Sequence, residues 1–236
     1  MKFALIGIGK MGGMVEVVAV RQGHEIVQKY WDARPFKAGP ETRNQVKDAD
    51  VLIDFSTADA VVGNVKAAAD LSLPMVEGTT GWQDRLQEVE GIVRESGIGF
   101  VHASNFSLGV NLFYRIVEKA GEVFSQFEHY DPFIEESHHK FKKDAPSGTA
   151  LEIGKLLLPH YPSRPIPVAS VRAGYIPGEH TVGFDSQADT VRLTHTARGR
   201  EGLAEGAVMA ASWIARRTGC FRFSDVLDQI LSEKTK

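Results

Sequence analysis

Hydrophobic positions along the chain fall into two successive regimes. Over the first half, short apolar runs alternate with longer stretches whose apolar residues recur at helical spacing. FALIG leads through glycines into MGGMVEVVAVRQG, where Met11, Met14, Val15 and Val18 share a helical face and Gly23 closes the run. A second strand is predicted from Glu25 to Tyr30, ending near Asp32. A third, ADVLIDFS, is almost continuously apolar, as a strand buried on both faces of a parallel sheet would be. Ser56 to Asp59 reads as a capping box in front of the helix AVVGNVKAAADL. The cycle repeats with strand PMVEGT, Thr80 as the N-cap of helix WQDRLQEVEGIVRES, strand GIGFVHAS and a helix around VNLFYRIVEKAGEVF. Strands and helices alternating at this length predict a doubly wound parallel sheet of the Rossmann type.

After about residue 125 the pattern changes. Strand-like EHYDPFIEES, a helix ALEIGKLLL and a Pro-rich stretch precede three segments of alternating polarity, VASVRAG, EHTVGFDS and DTVRLTHTA. Consecutive strands with short turns favour an antiparallel or mixed sheet. Two helices close the chain, about Gly202 to Arg217 and Phe223 to Ser232. The expected organisation is an α/β chain with a dinucleotide-binding domain over 1–106 plus 200–236, and an inserted α+β domain over 107–199.

Composition adds mainly exclusions. With 27 Lys and Arg against 30 Asp and Glu, the net charge of -3 gives no global field toward nucleic acid or anionic lipid, so anion binding must be local. The single cysteine, Cys220, forms no intramolecular disulfide, and no spacing of Cys and His predicts a metal site. Apolar runs fall short of the ~20 residues of a membrane span. With no signal-peptide pattern at MKFALIGIGK, the expectation is a soluble cytoplasmic protein.

Candidate chemistry sits in two places. Gly7-Ile8-Gly9-Lys10-Met11-Gly12 is a GxGxxG between a predicted strand and helix, with Asp32 twenty residues beyond Gly12. Gly7 permits the tight turn, Gly9 lets backbone approach a pyrophosphate, Gly12 allows close helix packing, and the helix start offers amides to phosphates. Asp32 suits the ribose of NAD, whereas Lys10, Lys29, Arg34 and Lys37 are near enough in sequence to accept the extra phosphate of NADP, so NADPH and NADH both stay open. Gly78, Thr79 and Thr80 either line the nicotinamide side of the crevice or form an ordinary capped turn.

The second place is EESHHKFKKDAPSGT, residues 135–149. Its histidines and lysines are either solvated loop or a site that binds an anion and protonates it. Ser147, Gly148 and Thr149 directly precede an apolar helix, so their own N–H groups and hydroxyls form a natural carboxylate cradle. If the chain stays extended through His138 and His139, their side chains diverge, so shared contact with one substrate needs a bend.

This stretch, with GIGKMG, DFS at 54–56, EGTTGW, ASNFSLGVN, GEHTVGF and LTHTARGREGLAEGA, resembles the dihydrodipicolinate reductase family, now called 4-hydroxy-tetrahydrodipicolinate reductase. The resemblance implies an inserted α+β domain that binds a dicarboxylate substrate and builds a homotetramer. It implies His138 at the catalytic centre, Lys142 as proton donor, His139 on a substrate carboxylate, and Gly148 and Thr149 on the other carboxylate. It places Gly78, Thr79 and Thr80 near the nicotinamide, and Asn105, Phe106 and Arg200 at the hinges. Departures are Trp31 where the family has an acidic residue at the end of the second strand, with Asp32 one step later, and Ala58 where proline is common. A related aspartate or diaminopimelate dehydrogenase and a non-catalytic dinucleotide sensor are the competing readings.

Overall fold

The computed structural model describes residues 1–234, and contacts divide them into two compact units, Met1–Leu108 with the chain from Arg200 onward, and Gly109–Gly199.

The first unit is built on a six-stranded parallel sheet. Its strands are β1 (Lys2–Ile6), β2 (Glu25–Tyr30), β3 (Val51–Asp54), β4 (Met75–Glu77), β5 (Gly99–His102) and β10 (Gly219–Arg222), in the order β10-β5-β4-β3-β1-β2. The order reverses beside β1, so the turns after β1 and β3 flank the switch point where open α/β sheets bind ligands. Helices α1 (Lys10–Arg21), α7 (Glu201–Ile214) and α8 (Phe223–Lys234) cover one face. Val15, Val18, Val208 and Ile214 bury there against Phe3, Leu5 and Ile53. On the other face, α3 (Val61–Leu71) and α4 (Leu86–Ser96) pack Val65, Leu71, Val89 and Val93 against Leu52, Met75 and Phe100. Burying each such side chain contributes about 1.5–3 kcal/mol, which is why β3 reads as unbroken apolar sequence.

Several local expectations are corrected. No capping box forms at Ser56: a 3-10 turn, Ala58–Ala60, leads into α3, and neither start has a side-chain cap. The Ser56 hydroxyl instead accepts from Asn64 at 3.2 Å. Thr80 is not an N-cap, because Gln83–Arg85 form a 3-10 turn and α4 begins only at Leu86. The indole of Trp82 donates to the Thr79 carbonyl at 2.9 Å, and its ring is buried, which holds the turn open before the helix starts. The short helix α2 (Pro40–Gln45) and strand β10 were not foreseen.

The second unit carries a mixed sheet of β6 (Asp131–His138), β7 (Val168–Arg172), β8 (Glu179–Asp185) and β9 (Thr190–Thr196), ordered β7-β6-β8-β9, with β6 and β7 parallel and the other pairs antiparallel. Helices α5 (Leu108–Phe124) and α6 (Gly148–Leu157) bury Phe113, Val117, Ile153 and Leu157 against Ile134, Val182 and Phe184. In β6, residues Ile134, Glu136 and His138 are all buried, so the apolar side of the strand ends in an acid and a base.

Candidate active site

At the switch point of the first unit, Gly7 adopts a φ of 78°, and a Cβ there would lie 2.4 Å from the Phe55 carbonyl oxygen, so only glycine fits the turn. A Cβ on Gly12 would lie 1.9 Å from the Gly7 carbonyl oxygen. Substituting Ala at Gly12 should therefore push α1 off the turn, costing about 1–3 kcal/mol in urea unfolding; unchanged stability would show the contact to be slack. Gly9 caps α1, Ile8, Gly9 and Lys10 are exposed, and Met11 follows in the first helical turn. The helix start has no side-chain cap and no acidic residue in its first turn, which leaves its unpaired amides and positive dipole end for an anion. Open space in front of Gly9, with no atom within 4 Å of a Cβ built there, fits the diphosphate of a dinucleotide.

Around that turn the other expected residues are placed unequally. Asp32 and Trp31 are both exposed in a tight turn after β2, closed by paired backbone bonds between Trp31 and Arg34. Lys29 is engaged with Glu16 at 3.0 Å. Gly78 follows β4 with its Cα face against the Phe55 ring, a built Cβ lying 2.2 Å from a ring carbon; Thr79 is buried and Thr80 exposed. Asn105 accepts from the Ser107 amide at 2.8 Å, forming the turn before α5. Phe106 is 1% exposed and packs its ring on Phe223 and Phe55, so its side chain belongs to the core. Arg200 is the N-cap residue of α7, its carbonyl accepting from the Leu203 amide at 3.1 Å.

In the second unit, the end of β6 forms a tightly bonded cluster. Glu136, 1% exposed, receives Arg172 on both oxygens, at 2.6 and 2.9 Å, and also the Nδ1 of His138. The Ser147 amide adds a longer bond at 3.3 Å. Burial works to raise the carboxyl, but the hydrogen bonds from Arg172, Ser170 and His138 outweigh it and hold Glu136 down at about 2. An ionised Glu136 fixes the His138 tautomer: Nδ1 donates, leaving the Nε2 lone pair. Burial lowers the His138 pKa, only partly offset by Glu136. His180, on β8, stacks edge-on to His138 at 5.1 Å and exchanges a hydrogen bond with the Ser147 hydroxyl at 3.0 Å. Burial and the neighbouring His138 push it down to about 4, so it is neutral at physiological pH.

β6 ends at His138, the Lys140 amide still donates to the Gly174 carbonyl at 3.3 Å, and the turn that follows is closed by the Lys142 amide donating to the His139 carbonyl at 3.1 Å. His139 keeps Nδ1 buried with no partner among the described residues. Lys142 is half-buried and pairs with Asp144 at 2.9 Å, while the Asp144 carbonyl accepts from Arg172 at 2.6 Å. Ser147 caps α6, its hydroxyl accepting from the Ala150 amide at 3.2 Å, so the amides of Gly148 and Thr149 at the exposed first turn have no intrahelical acceptor. Beside this turn, burial pushes the Tyr114 phenol up to about 12.

Glu136, Arg172 and His180 were absent from the sequence-derived site. The alternation of β6 places Glu136 two residues before His138 on the same face and could have flagged it; Arg172 and His180 arrive through strand register, opposite His138 and Glu136 respectively. Ligand atoms of Glu136, His138 and His180 lie within 4.8 Å of one another, a grouping able to hold a metal ion. Both Glu136 oxygens already hold a guanidinium, which such an ion would have to displace.

Comparison with known proteins agrees across the whole chain. Residues 1–106 match the family profile for the dihydrodipicolinate reductase N-terminus, and residues 109–227 the profile for its C-terminus. A 4-hydroxy-tetrahydrodipicolinate reductase from Christiangramia forsetii is 35% identical, covering 98% of this chain and 99% of its own length. One from Archaeoglobus fulgidus is 34% identical over 97% of this chain and its full length. Among solved structures, a dipicolinate-bound dihydrodipicolinate reductase from Paenisporosarcina superposes with a TM-score of 0.80 at 21% identity, covering 96% of this chain and 99% of that one. An amine dehydrogenase from Mycobacterium smegmatis shares the fold at a TM-score of 0.61 and 9% identity, with 95% of each chain covered, so the fold alone does not fix the chemistry. On the two profiles and the curated relatives, this chain belongs to the dihydrodipicolinate reductase family.

Proposed function

We propose that this chain reduces 4-hydroxy-tetrahydrodipicolinate to tetrahydrodipicolinate in lysine and diaminopimelate biosynthesis, using NADPH or NADH. What supports this reading is that Lys142, His139 and the open start of α6 all fall in the one segment that follows β6, in a chain whose curated relatives bear that reductase name. The reaction consumes one hydride and one proton and releases the 4-hydroxyl as water. A reduced nicotinamide supplies the hydride.

The protein's part is to hold and protonate. Amides of Gly148 and Thr149 would grip one substrate carboxylate, aided by the helix dipole. His139 would meet the other carboxylate. Lys142 would leave Asp144 for the dianion and give a proton to the carbon beside the reduced one. Glu136 and Arg172 would keep His138 in one tautomer at the rim of that loop. In the first unit, the Gly7–Gly12 turn would take the diphosphate, with Asp32, Gly78, Thr79, Thr80, Asn105 and Arg200 around it. Four protomers are expected to assemble.

The test couples the protein to dihydrodipicolinate synthase with pyruvate and aspartate semialdehyde, with each nicotinamide in turn. Cofactor oxidation should be inhibited competitively by pyridine-2,6-dicarboxylate, a planar dianion suited to the same cradle. No oxidation of either cofactor by folded protein would sink the reading.

A further inference from the structure

Two carboxyl side chains, Asp54 and Glu77, are fully buried side by side at the carboxyl ends of β3 and β4, where they are direct partners in the strand register. They edge the switch-point crevice. Each ties a turn: Asp54 accepts from the Ser56 amide at 2.7 Å and from the Asn64 amide group at 2.7 Å, and Glu77 accepts from the Thr79 amide at 2.7 Å. Strand bonding continues through the same turns, with the Gly78 amide donating to the Asp54 carbonyl at 2.9 Å and the Phe55 amide to the Ile6 carbonyl at 2.9 Å.

The remaining Glu77 oxygen, Oε2, is buried and meets no donor among the described residues, and the carboxyl beside it in the register is that of Asp54. A bond between two carboxyls exists only if one of them carries a proton; otherwise two like charges face each other out of water. Among the described residues no cation pairs with Glu77. On its other side in the register stands His102 of β5, whose imidazole pKa burial lowers, and beyond it Arg222 of β10 is paired with Asp225. From α3 the neighbour is Asn64, and from α4 the charge near His102 is Glu90. Burial first, and the charge of Asp54 second, raise Glu77 well above the ordinary carboxyl range.

We propose that Glu77 is a positioning residue for the dinucleotide, holding one proton between itself and Asp54 so that the Phe55–Thr57 and Gly78–Thr80 turns keep their spacing across the crevice. This rests on reading the chain as a nicotinamide-dependent reductase. Neither carboxyl touches the reacting atoms; the pair acts through the Ser56 and Thr79 amides. Loss of the shared proton sets two carboxylates against each other and pushes the turns apart.

Infrared spectra and nucleotide binding test it together. At neutral pH the nucleotide-free protein should show the carbonyl stretch of a protonated buried carboxyl, and E77Q should lack it. Between about pH 6 and pH 10, NADPH affinity of the wild type should fall about tenfold at the alkaline end, the effect of losing one buried hydrogen bond. E77Q, whose amide donates without ionising, should lack that alkaline fall, with circular dichroism confirming the fold at each pH. An identical alkaline fall in both proteins, or no carboxyl band lost in E77Q, overturns the proposal. Wild-type protein that binds neither NADPH nor NADH overturns the functional reading instead, and the infrared band still decides whether the pair holds its proton.

Discussion

Lys142→Ala is expected to lower kcat by about 10²–10⁴-fold, the range for removing a positioned proton donor. Lys142 is the ammonium group of the loop after β6 that is half-buried and held in place, by Asp144 at 2.9 Å and by its own amide on the His139 carbonyl. Nucleotide affinity should stay within a few-fold, because the diphosphate is assigned to the Gly7–Gly12 turn and not to Lys142. Lys142→Arg separates charge from protonation. A guanidinium keeps the positive charge but does not give up a proton near neutral pH, so KM should change little while kcat falls nearly as far as in the alanine variant. Steady-state kinetics measure both, and an alanine variant with wild-type kcat would remove Lys142 from the mechanism.

Glu136→Ala is expected to destabilise the protein by about 3–5 kcal/mol, because it strands a buried guanidinium and frees the His138 ring. The Arg172 side chain is 17% exposed and that of Glu136 0%, so water compensates little. The same carboxylate predicts an acid limb. Its folded-state pKa of about 2 lies below the ordinary 4.5, so its contribution is complete above about pH 4.5 and is lost as pH falls toward 2. That contribution is on the order of 3 kcal/mol. Urea midpoints measured down through this window should fall in the wild type and much less in Glu136→Gln. An alanine variant within about 1 kcal/mol of wild type would show that the Glu136–Arg172 pair adds nothing net.

How far the sequence could be read depended on the range of the interaction. The strands β1 to β5 and the GxGxxG turn were legible because apolar runs and glycines act within a few residues. The four residues of β10 gave no signal, since GCFR becomes a strand only by pairing with β5, more than a hundred residues earlier. Ser56 and Thr80 have the right chemistry for helix caps, but Asn64 claims the Ser56 hydroxyl and Trp82 occupies the turn at Thr79, so both helices start later. In the second unit the loop residues Lys142, His139, Gly148 and Thr149 were visible as one motif. Glu136, Arg172 and His180 were not, because two of the three reach the cluster from strands whose register the sequence does not state. Asp54 and Glu77 likewise look like the polar ends of separate strands until β3 and β4 are aligned.

Direct hydride transfer is the most immediate test of the whole account. With NADPH or NADH deuterated at both C4 positions and substrate generated in place by the synthase, mass spectrometry of the product should show tetrahydrodipicolinate carrying one deuterium. Folded protein that forms no deuterated product, or oxidises the cofactor while releasing unlabelled product, would contradict it.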